Sequence, residues 1–228
     1  MDKSNLIIAI DGPAGAGKST VSRILAQKLG LRYLDTGAMY RVLALIAQQN
    51  ECSPTEANKV VSLAKQYEIR FGIEIPPRVY LDAEDVTSEI RSPDIAQLAS
   101  ELSSQGSVRR YLAEKQQAMV KEGGYILEGR DVTTVIAPHA DLKVYLTASL
   151  EERAKRRLKE FQEKGLTSNF VSVRGEIEER DHRDITRKES PLSVASDAII
   201  IDSANMTIQQ VTEQIEYQVR KSFGVSNE

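Results

Sequence analysis

Residues 6–20 read LIIAIDGPAGAGKST, in which an apolar run is followed by a glycine-rich break and the start of a helical pattern. The apolar run has the length and composition of a buried β-strand. Apolar residues then recur at helical spacing from Val21 to Leu29, and Gly30 stands where a helix stop is expected. Residues 12–19 fit the phosphate-binding pattern G-x-x-x-x-G-K-[ST] in the strand–loop–helix context that it requires. The stretch therefore predicts a nucleotide-binding loop (P-loop) in an α/β domain.

The chemistry of phosphate binding explains the residue types in this loop. Glycines let successive backbone N–H groups point at phosphate oxygens, and the following helix adds its positive N-terminal end. Lys18 is expected to reach the β- and γ-phosphates of ATP, and Ser19 to offer its hydroxyl to Mg²⁺. The predicted donor site comprises Gly12, Pro13, Ala14, Gly15, Ala16, Gly17, Lys18, Ser19 and Thr20.

Four more short apolar runs, at residues 31–34, 125–127, 142–146 and 198–201, follow along the chain. Together with the first run they predict a five-stranded parallel sheet that is covered by helices on both faces. Ser149 with Glu152, and Thr207 with Gln210, have the spacing of helix caps. We therefore expect helices to begin at these two places.

Residues 37–105 are predicted to be an insertion into a core formed by residues 1–36 and 106–228. Ser53, Pro54 and Glu56 predict a helix over residues 53–65. Residues 67–71 and 78–82 alternate with period two around a proline-containing turn, which predicts a small antiparallel hairpin. Further helices are expected from residue 92 and over residues 108–120.

Composition excludes several classes of protein. Thirty basic residues against 33 acidic ones give a net charge of −3, which does not suit a nucleic-acid-binding surface. The single cysteine, Cys52, cannot form an internal disulfide, and this fits a reducing cytoplasm. The first apolar run is too short for a signal peptide or a membrane span. We expect a cytoplasmic monomer that acts on small molecules, without nucleic acid or membrane partners.

Two polar segments at the predicted carboxyl ends of strands are candidates for binding a second substrate. Residues 35–41 place the hydroxyl of Thr36 as a helix cap, with Tyr40 and Arg41 one turn later. Arg41 either clamps a phosphate or is solvated on an ordinary helix. Residues 128–131 follow the third strand and form either a ligand-binding loop or a surface turn with a local ion pair.

Two groups of charged residues at helical spacing lie further on. They are Arg153, Arg156 and Arg157, and then Arg180, Asp184 and Arg187. Solvated helix faces would explain both groups, but phosphoryl transfer also requires several cations around the migrating group. A regulatory GTPase would need an N-K-x-D motif to recognise guanine. The only Asn-Lys pair, Asn58-Lys59, lies on a predicted helix face, so this class of protein is disfavoured. A small-molecule kinase and a non-catalytic nucleotide-binding protein remain.

In these residues and over nearly its whole length, the chain resembles the bacterial cytidylate kinases, which are nucleoside monophosphate kinases. The resemblance rests on residues 12–19, 35–41, 84–91, 129–131, 149–157 and 180–184. The third segment lies in the predicted hairpin insertion, which other nucleoside monophosphate kinases lack or shorten.

The resemblance implies Mg²⁺-dependent transfer of the γ-phosphoryl group of ATP to CMP, and to dCMP, without a covalent intermediate. It implies that residues 37–105 bind the acceptor and that residues 153–174 form an arginine-bearing lid. The implied acceptor-binding residues are Asp35, Thr36, Tyr40, Arg41, Ser100, Arg109, Gly129, Arg130, Asp131, Arg180, Asp184 and Arg187. Among them, Ser100, Arg109 and Asp131 would read cytosine. The implied catalytic residues are Lys18, Arg130, Asp131, Arg153 and Arg157.

Two positions depart from the family pattern D-G-R-D-x-G-T. Glu128 replaces the first Asp and keeps its charge on a longer side chain, and Thr133 replaces the later Gly. Because a β-branched residue does not readily adopt a positive φ, we expect the local turn at Thr133 to differ.

Overall fold

The computed structural model describes residues 5–163 and 165–223, which form eight strands and eight α-helices. The strands, in chain order, are β1 Ile7–Asp11, β2 Arg32–Asp35, β3 Ile69–Phe71, β4 Val79–Leu81, β5 Glu84–Asp85, β6 Tyr125–Gly129, β7 Leu142–Thr147 and β8 Ile199–Asp202. The helices are α1 Lys18–Leu29, α2 Thr36–Gln49, α3 Ala57–Ala64, α4 Pro93–Leu102, α5 Gly106–Val120, α6 Leu150–Glu163, α7 Phe170–Thr186 and α8 Ile208–Phe223.

A five-stranded parallel sheet in the order β2-β6-β1-β7-β8 forms the centre of the molecule. Strand β1 lies at the centre of this sheet, between β6 and β7, and its Ile8, Ala9 and Ile10 are fully buried. One face packs against α1 and α8 through residues such as Leu25 and Ile215. The other face packs against α5 through Val120. The predicted sheet with helices on both faces is confirmed.

A second core lies among α2, α3, α4 and α5, beside the small antiparallel sheet β3-β4-β5. The predicted hairpin is confirmed, since Arg70 pairs with Tyr80, and the two-residue strand β5 extends it. Helix α5 contributes to both cores, because Leu112 is buried in this one and Val120 against the large sheet.

Several predicted element boundaries are wrong. The helix predicted over residues 53–65 begins only at Ala57, because Ser53 and Glu56 close a turn: the Ser53 N–H donates to the Glu56 carboxylate at 2.8 Å. The cap of α2 is Asp35, whose side chain accepts from the Ala38 N–H, and not Thr36. By contrast, the Thr207–Gln210 cap of α8 is confirmed, since each residue's backbone N–H donates to the other's side chain.

Residues 1–4, Lys164 and residues 224–228, which fall within the predicted core and lid, lie outside the described residues. No helix among residues 5–163 and 165–223 is long and apolar enough to span a bilayer.

Candidate active site

The P-loop joins β1 to α1 at the carboxyl edge of the large sheet. Gly12 has a φ of 151°, and a Cβ built there would lie 1.9 Å from the carbonyl oxygen of Leu146 on β7, so only glycine fits. The ammonium of Lys18 donates to the carbonyl oxygens of Gly12 and Pro13, each at 2.8 Å. Burial, together with the charge of Arg130, lowers the pKa of Lys18 to about 7.

A buried ion pair between α6 and α7 contacts the backbone of the P-loop. Asp181 accepts a hydrogen bond from the Ala14 N–H at 2.9 Å, and Arg153 donates to the Ala14 carbonyl oxygen at 2.9 Å. Arg153 also pairs with Asp181 and donates to the carbonyl oxygen of Ala148. Arg153 therefore contacts the loop's backbone in this structure.

The other two arginines of α6 point away from Arg153. Arg156 donates to the side chain and the carbonyl oxygen of Ser203, while Arg157 is half-exposed, pairs with Glu160 and lies over the ring of Phe161. The three predicted arginines therefore do not converge on one point.

Glu128, at the end of β6, lies between the donor loop and the acceptor segments. Its carboxylate accepts a hydrogen bond from the Tyr33 hydroxyl at 2.5 Å and lies beside the hydroxyl of Ser19. Burial and the charge of Asp35 raise the pKa of Glu128, whereas Lys18 lowers it. No group of three or more carboxylate, histidine or cysteine side chains that could hold a metal occurs in the described part of the chain.

The start of α2 holds the first acceptor candidates. Arg41 pairs with Asp35 at 2.5 Å, and its Nε is buried without a hydrogen-bond partner among the described residues. Burial raises the pKa of Asp35, but Arg41, together with the Ala38 N–H, outweighs this effect and the net pKa is lowered. The hydroxyl of Thr36 donates to the Glu128 carbonyl oxygen at 2.6 Å, and a Cβ at Gly129 would lie 2.7 Å from that hydroxyl. The close approach of β6 to α2 thus requires Gly129.

A chain of buried ion pairs joins α5, the segment after β6 and the end of α7. Arg109 pairs with Asp131 at 2.6 Å, Arg187 pairs with Asp184 at 2.9 Å, and Arg130 pairs with Asp184 at 2.9 Å. Burial opposes ionisation of Asp184, but the neighbouring arginines Arg130, Arg180 and Arg187 lower its pKa. Asp184 therefore stays charged and holds two of the arginines in place.

Arg180 differs from these arginines because it has no hydrogen bond or ion pair with any described residue. Removal from water and the charge of Arg130 lower its pKa to about 10, and the charge of Arg41 acts in the same direction. Guanidinium groups gathered in this way favour a bound anion.

Ser100, on α4, lies on the side of the site predicted to read the base. It is 8% exposed, and its hydroxyl accepts a hydrogen bond from Arg183 of α7 at 3.2 Å. The guanidinium carbon of Arg109 lies 5.5 Å from the centre of the Tyr40 ring. Burial raises the pKa of Tyr40 to about 12, so its hydroxyl stays protonated at neutral pH.

Residues in or beside this arrangement that are absent from the predicted site include Asp11, Tyr33, Asp181 and Arg183. Asp181 and Arg183 belong to the segment 180–184 on which the resemblance rests, but their partners, Ala14 and Ser100, are distant in sequence. Asp11 is a charged residue at the end of a buried strand, and a buried charge of this kind is itself a signal of a structural or functional role.

Comparisons with known proteins place this site in a family. A family model described as cytidylate kinase matches residues 8–221. The chain is 44% identical over 209 residues to the cytidylate kinase of Caldicellulosiruptor bescii, covering 91% of this chain and 92% of that one. It is 43% identical over 215 residues to the cytidylate kinase of Enterococcus faecalis, covering 94% and 95%.

Among solved structures, an uncharacterized protein from Eubacterium ventriosum has a TM-score of 0.52 at 12% identity, over 95% of this chain and 99% of that one. This likeness concerns the fold alone. The family model and the sequence relatives, each matching more than nine-tenths of the chain, show that this protein belongs to the cytidylate kinase family.

Proposed function

We infer that this protein is an ATP-dependent cytidylate kinase, which converts CMP and ATP into CDP and ADP. We propose dCMP as a second acceptor and a cytoplasmic monomer as the working form. Cys52 is a free, buried thiol, which fits a reducing compartment.

The observation that carries the inference is the concentration of guanidinium groups beside the P-loop. Arg130 and Arg180 lie close enough to Lys18 for their charges to lower its pKa, and Arg180 makes no hydrogen bond or ion pair within the described ranges. Like charges held this close are best stabilised by an anion. An acceptor phosphate that faces the γ-phosphate of ATP would supply it.

The reaction requires positioning and charge stabilisation more than proton transfer. The acceptor phosphate is mostly ionised at neutral pH, so its oxygen can attack the γ-phosphorus in line without a strong general base. Lys18 on the donor side, with Arg130 and Arg180 on the acceptor side, would offset the repulsion between the two anions. Arg41, with its free Nε, is proposed to hold the acceptor phosphate as well.

We propose that Mg²⁺ binds between the donor phosphates and Ser19. The Ser19 hydroxyl and the Glu128 carboxylate are adjacent oxygen donors of the kind that Mg²⁺ prefers. When bound, Mg²⁺ would neutralise charge on the donor phosphates. Tyr33, by donating to Glu128, would fix the direction of this longer carboxylate.

A coupled assay of ADP release tests the function directly. CMP should stimulate ADP release from ATP more than UMP or AMP does, and dCMP should be accepted. Lys18→Met should lower kcat at least ~10²-fold, because it removes one preorganised charge. Lys28→Met, which changes an exposed lysine of the same helix, is the matched control and should be unaffected.

The alternatives give different results in this assay. A wild-type enzyme that prefers UMP would overturn the acceptor assignment. ATP binding without ADP release stimulated by any monophosphate would instead indicate a non-catalytic nucleotide-binding protein. Near-normal turnover of a folded Lys18→Met variant would contradict the role of Lys18.

A further inference from the structure

A buried carboxylate lies where the donor and acceptor loops meet. Asp11 is the last residue of β1, immediately before Gly12, and its side chain has no exposure to solvent. It accepts hydrogen bonds from the backbone N–H of Val132 at 3.0 Å, the N–H of Thr133 at 2.8 Å and the Thr133 hydroxyl at 2.6 Å. These hydrogen bonds offset part of the cost of burying the Asp11 carboxylate.

The Thr133 hydroxyl is the strongest side-chain partner of this carboxylate. Burial raises the pKa of Asp11, and the Thr133 hydroxyl is the largest of the influences that lower it again. Thr133 is 2% exposed and lies in a π-helical turn, Val132–Ile136, that directly follows Asp131. Thr133 does not have a positive φ, unlike the three described non-glycine residues that do. The turn therefore accommodates its side chain without backbone strain.

The hydrogen bonds of Asp11 connect two functional segments. On one side, Gly12 follows Asp11 and its carbonyl oxygen accepts from Lys18. On the other side, Val132 and Thr133 follow Asp131, which pairs with Arg109. The P-loop has a second support, from Asp181 and Arg153, which is independent of Asp11. Loss of a hydrogen bond to Asp11 should therefore loosen the acceptor segment more than the donor loop.

We propose that the Thr133 hydroxyl is a positioning residue for the acceptor: by holding Asp11, it fixes the backbone that carries Arg130 and Asp131 relative to the P-loop. This role rests on the proposed function and goes beyond it, because the Thr133 hydroxyl bonds to Asp11 and would act on the acceptor through the backbone. It also explains how threonine serves at a position where the family pattern has glycine. The hydroxyl adds a hydrogen bond that glycine cannot make.

Thr133→Val tests the proposal, because valine keeps the branched shape and removes only the hydroxyl. We expect KM for CMP to rise on the order of 10-fold, the effect of one lost hydrogen bond to a buried charge. KM for ATP should change less than about twofold. Thr133→Ser, which retains the hydroxyl, should restore KM for CMP. Thr212→Val is the matched control, because Thr212 is a buried threonine whose hydroxyl donates to the Ile208 carbonyl oxygen within α8, away from Asp11 and the acceptor segment.

Thermal unfolding of each variant, alongside the kinetics, distinguishes positioning from general stability. An unchanged KM for CMP in folded Thr133→Val, equal increases for CMP and ATP, no rescue by Thr133→Ser, or the same effect from Thr212→Val would each overturn the proposal. Thr133→Ala, which leaves room for water, is the second variant and should show the same separation of the two KM values. If neither variant folds, the hydroxyl is only structural and the positioning role is wrong. A wild type inactive on CMP would contradict the proposed function itself.

Discussion

The ammonium of Lys18 makes ATP binding sensitive to pH. Its pKa of about 7 in the nucleotide-free protein means that it is largely uncharged at pH 8 to 9. Because phosphates favour the charged form, binding of ATP should raise this pKa and take up a proton. The Kd for ATP should therefore increase as the pH rises above about 7, by up to about tenfold per pH unit. Calorimetry in buffers of different ionisation enthalpy measures the proton uptake.

Lys18→Met is the control for this pH dependence, because it cannot titrate. The Kd of this variant for ATP should be higher than that of the wild type at pH 7 and nearly constant between pH 7 and 9. A wild-type Kd that is flat over this range, with no proton uptake, would show that Lys18 is already charged in the free protein.

Ser100 is expected to contribute to selectivity for cytosine over uracil. Cytosine presents an amino group where uracil presents a carbonyl, and a buried acceptor there favours the amino group. Ser100→Ala should lower kcat/KM for CMP more than for UMP, so the ratio between them narrows severalfold. The measurement is kcat/KM for both acceptors in wild type and variant.

The neighbouring Ser104 provides the control, because its exposed hydroxyl donates to the Glu101 carbonyl oxygen at the end of the same helix. Ser104→Ala should leave the ratio unchanged. If Ser100→Ala also leaves it unchanged, Ser100 does not read the base.

At the scale of elements, α6 and α7 are joined by an exposed segment that we expect to close over ATP. Arg157 on α6 is half-exposed and pairs with its neighbour Glu160, and we expect it to exchange this surface pair for a phosphate. Contacts of this kind would order the region between residues 161 and 174. Trypsin should cut this region at least severalfold more slowly with ATP plus CMP than without them. ATP alone and CMP alone are the controls, and equal cutting rates in all conditions would refute lid closure.

Local signals explain which elements the sequence predicts well. The cap of α8 and the strand–loop–helix around the P-loop depend on residues within a few positions of one another, and both are confirmed. The start of α3 fails because Ser53 and Glu56 satisfy each other in a turn, which uses the same residues as a helix cap. Pairs such as Ser100–Arg183 and Asp11–Thr133 join distant parts of the chain, and spacing along the sequence carries no information about them.

At the scale of the whole molecule, α5 connects the large sheet to the core of the insertion. The predicted boundary after residue 105 separates α5 from the insertion, yet Leu112 is fully buried in the insertion's core. Leu112→Ala should destabilise the protein by about 2–5 kcal/mol, because it leaves a cavity. Since α5 contacts both cores, we expect the two to unfold together in one transition at a lower Tm.

Thermal unfolding followed by far-UV circular dichroism and by tyrosine fluorescence checks this expectation. Leu166→Ala, which shortens a side chain that is 43% exposed, is the control and should leave Tm nearly unchanged. Separate transitions for the two probes in Leu112→Ala would contradict the coupling through α5.

The place of β6 between β2 and β1 also sets an order in which a chain leaving the ribosome can fold. Ile8 of β1 pairs with Ile126 and Leu34 of β2 pairs with Leu127, whereas β1 and β2 do not pair with each other. A nascent chain that ends before residue 125 therefore carries both early strands without a partner for either, and closing that long loop is slow. Every buried member of the insertion's core, from Ala38 to Leu112, has been synthesised by then. The insertion's core can thus collapse first. The P-loop, although it is among the first segments made, takes its final shape only after β6 and β7 emerge.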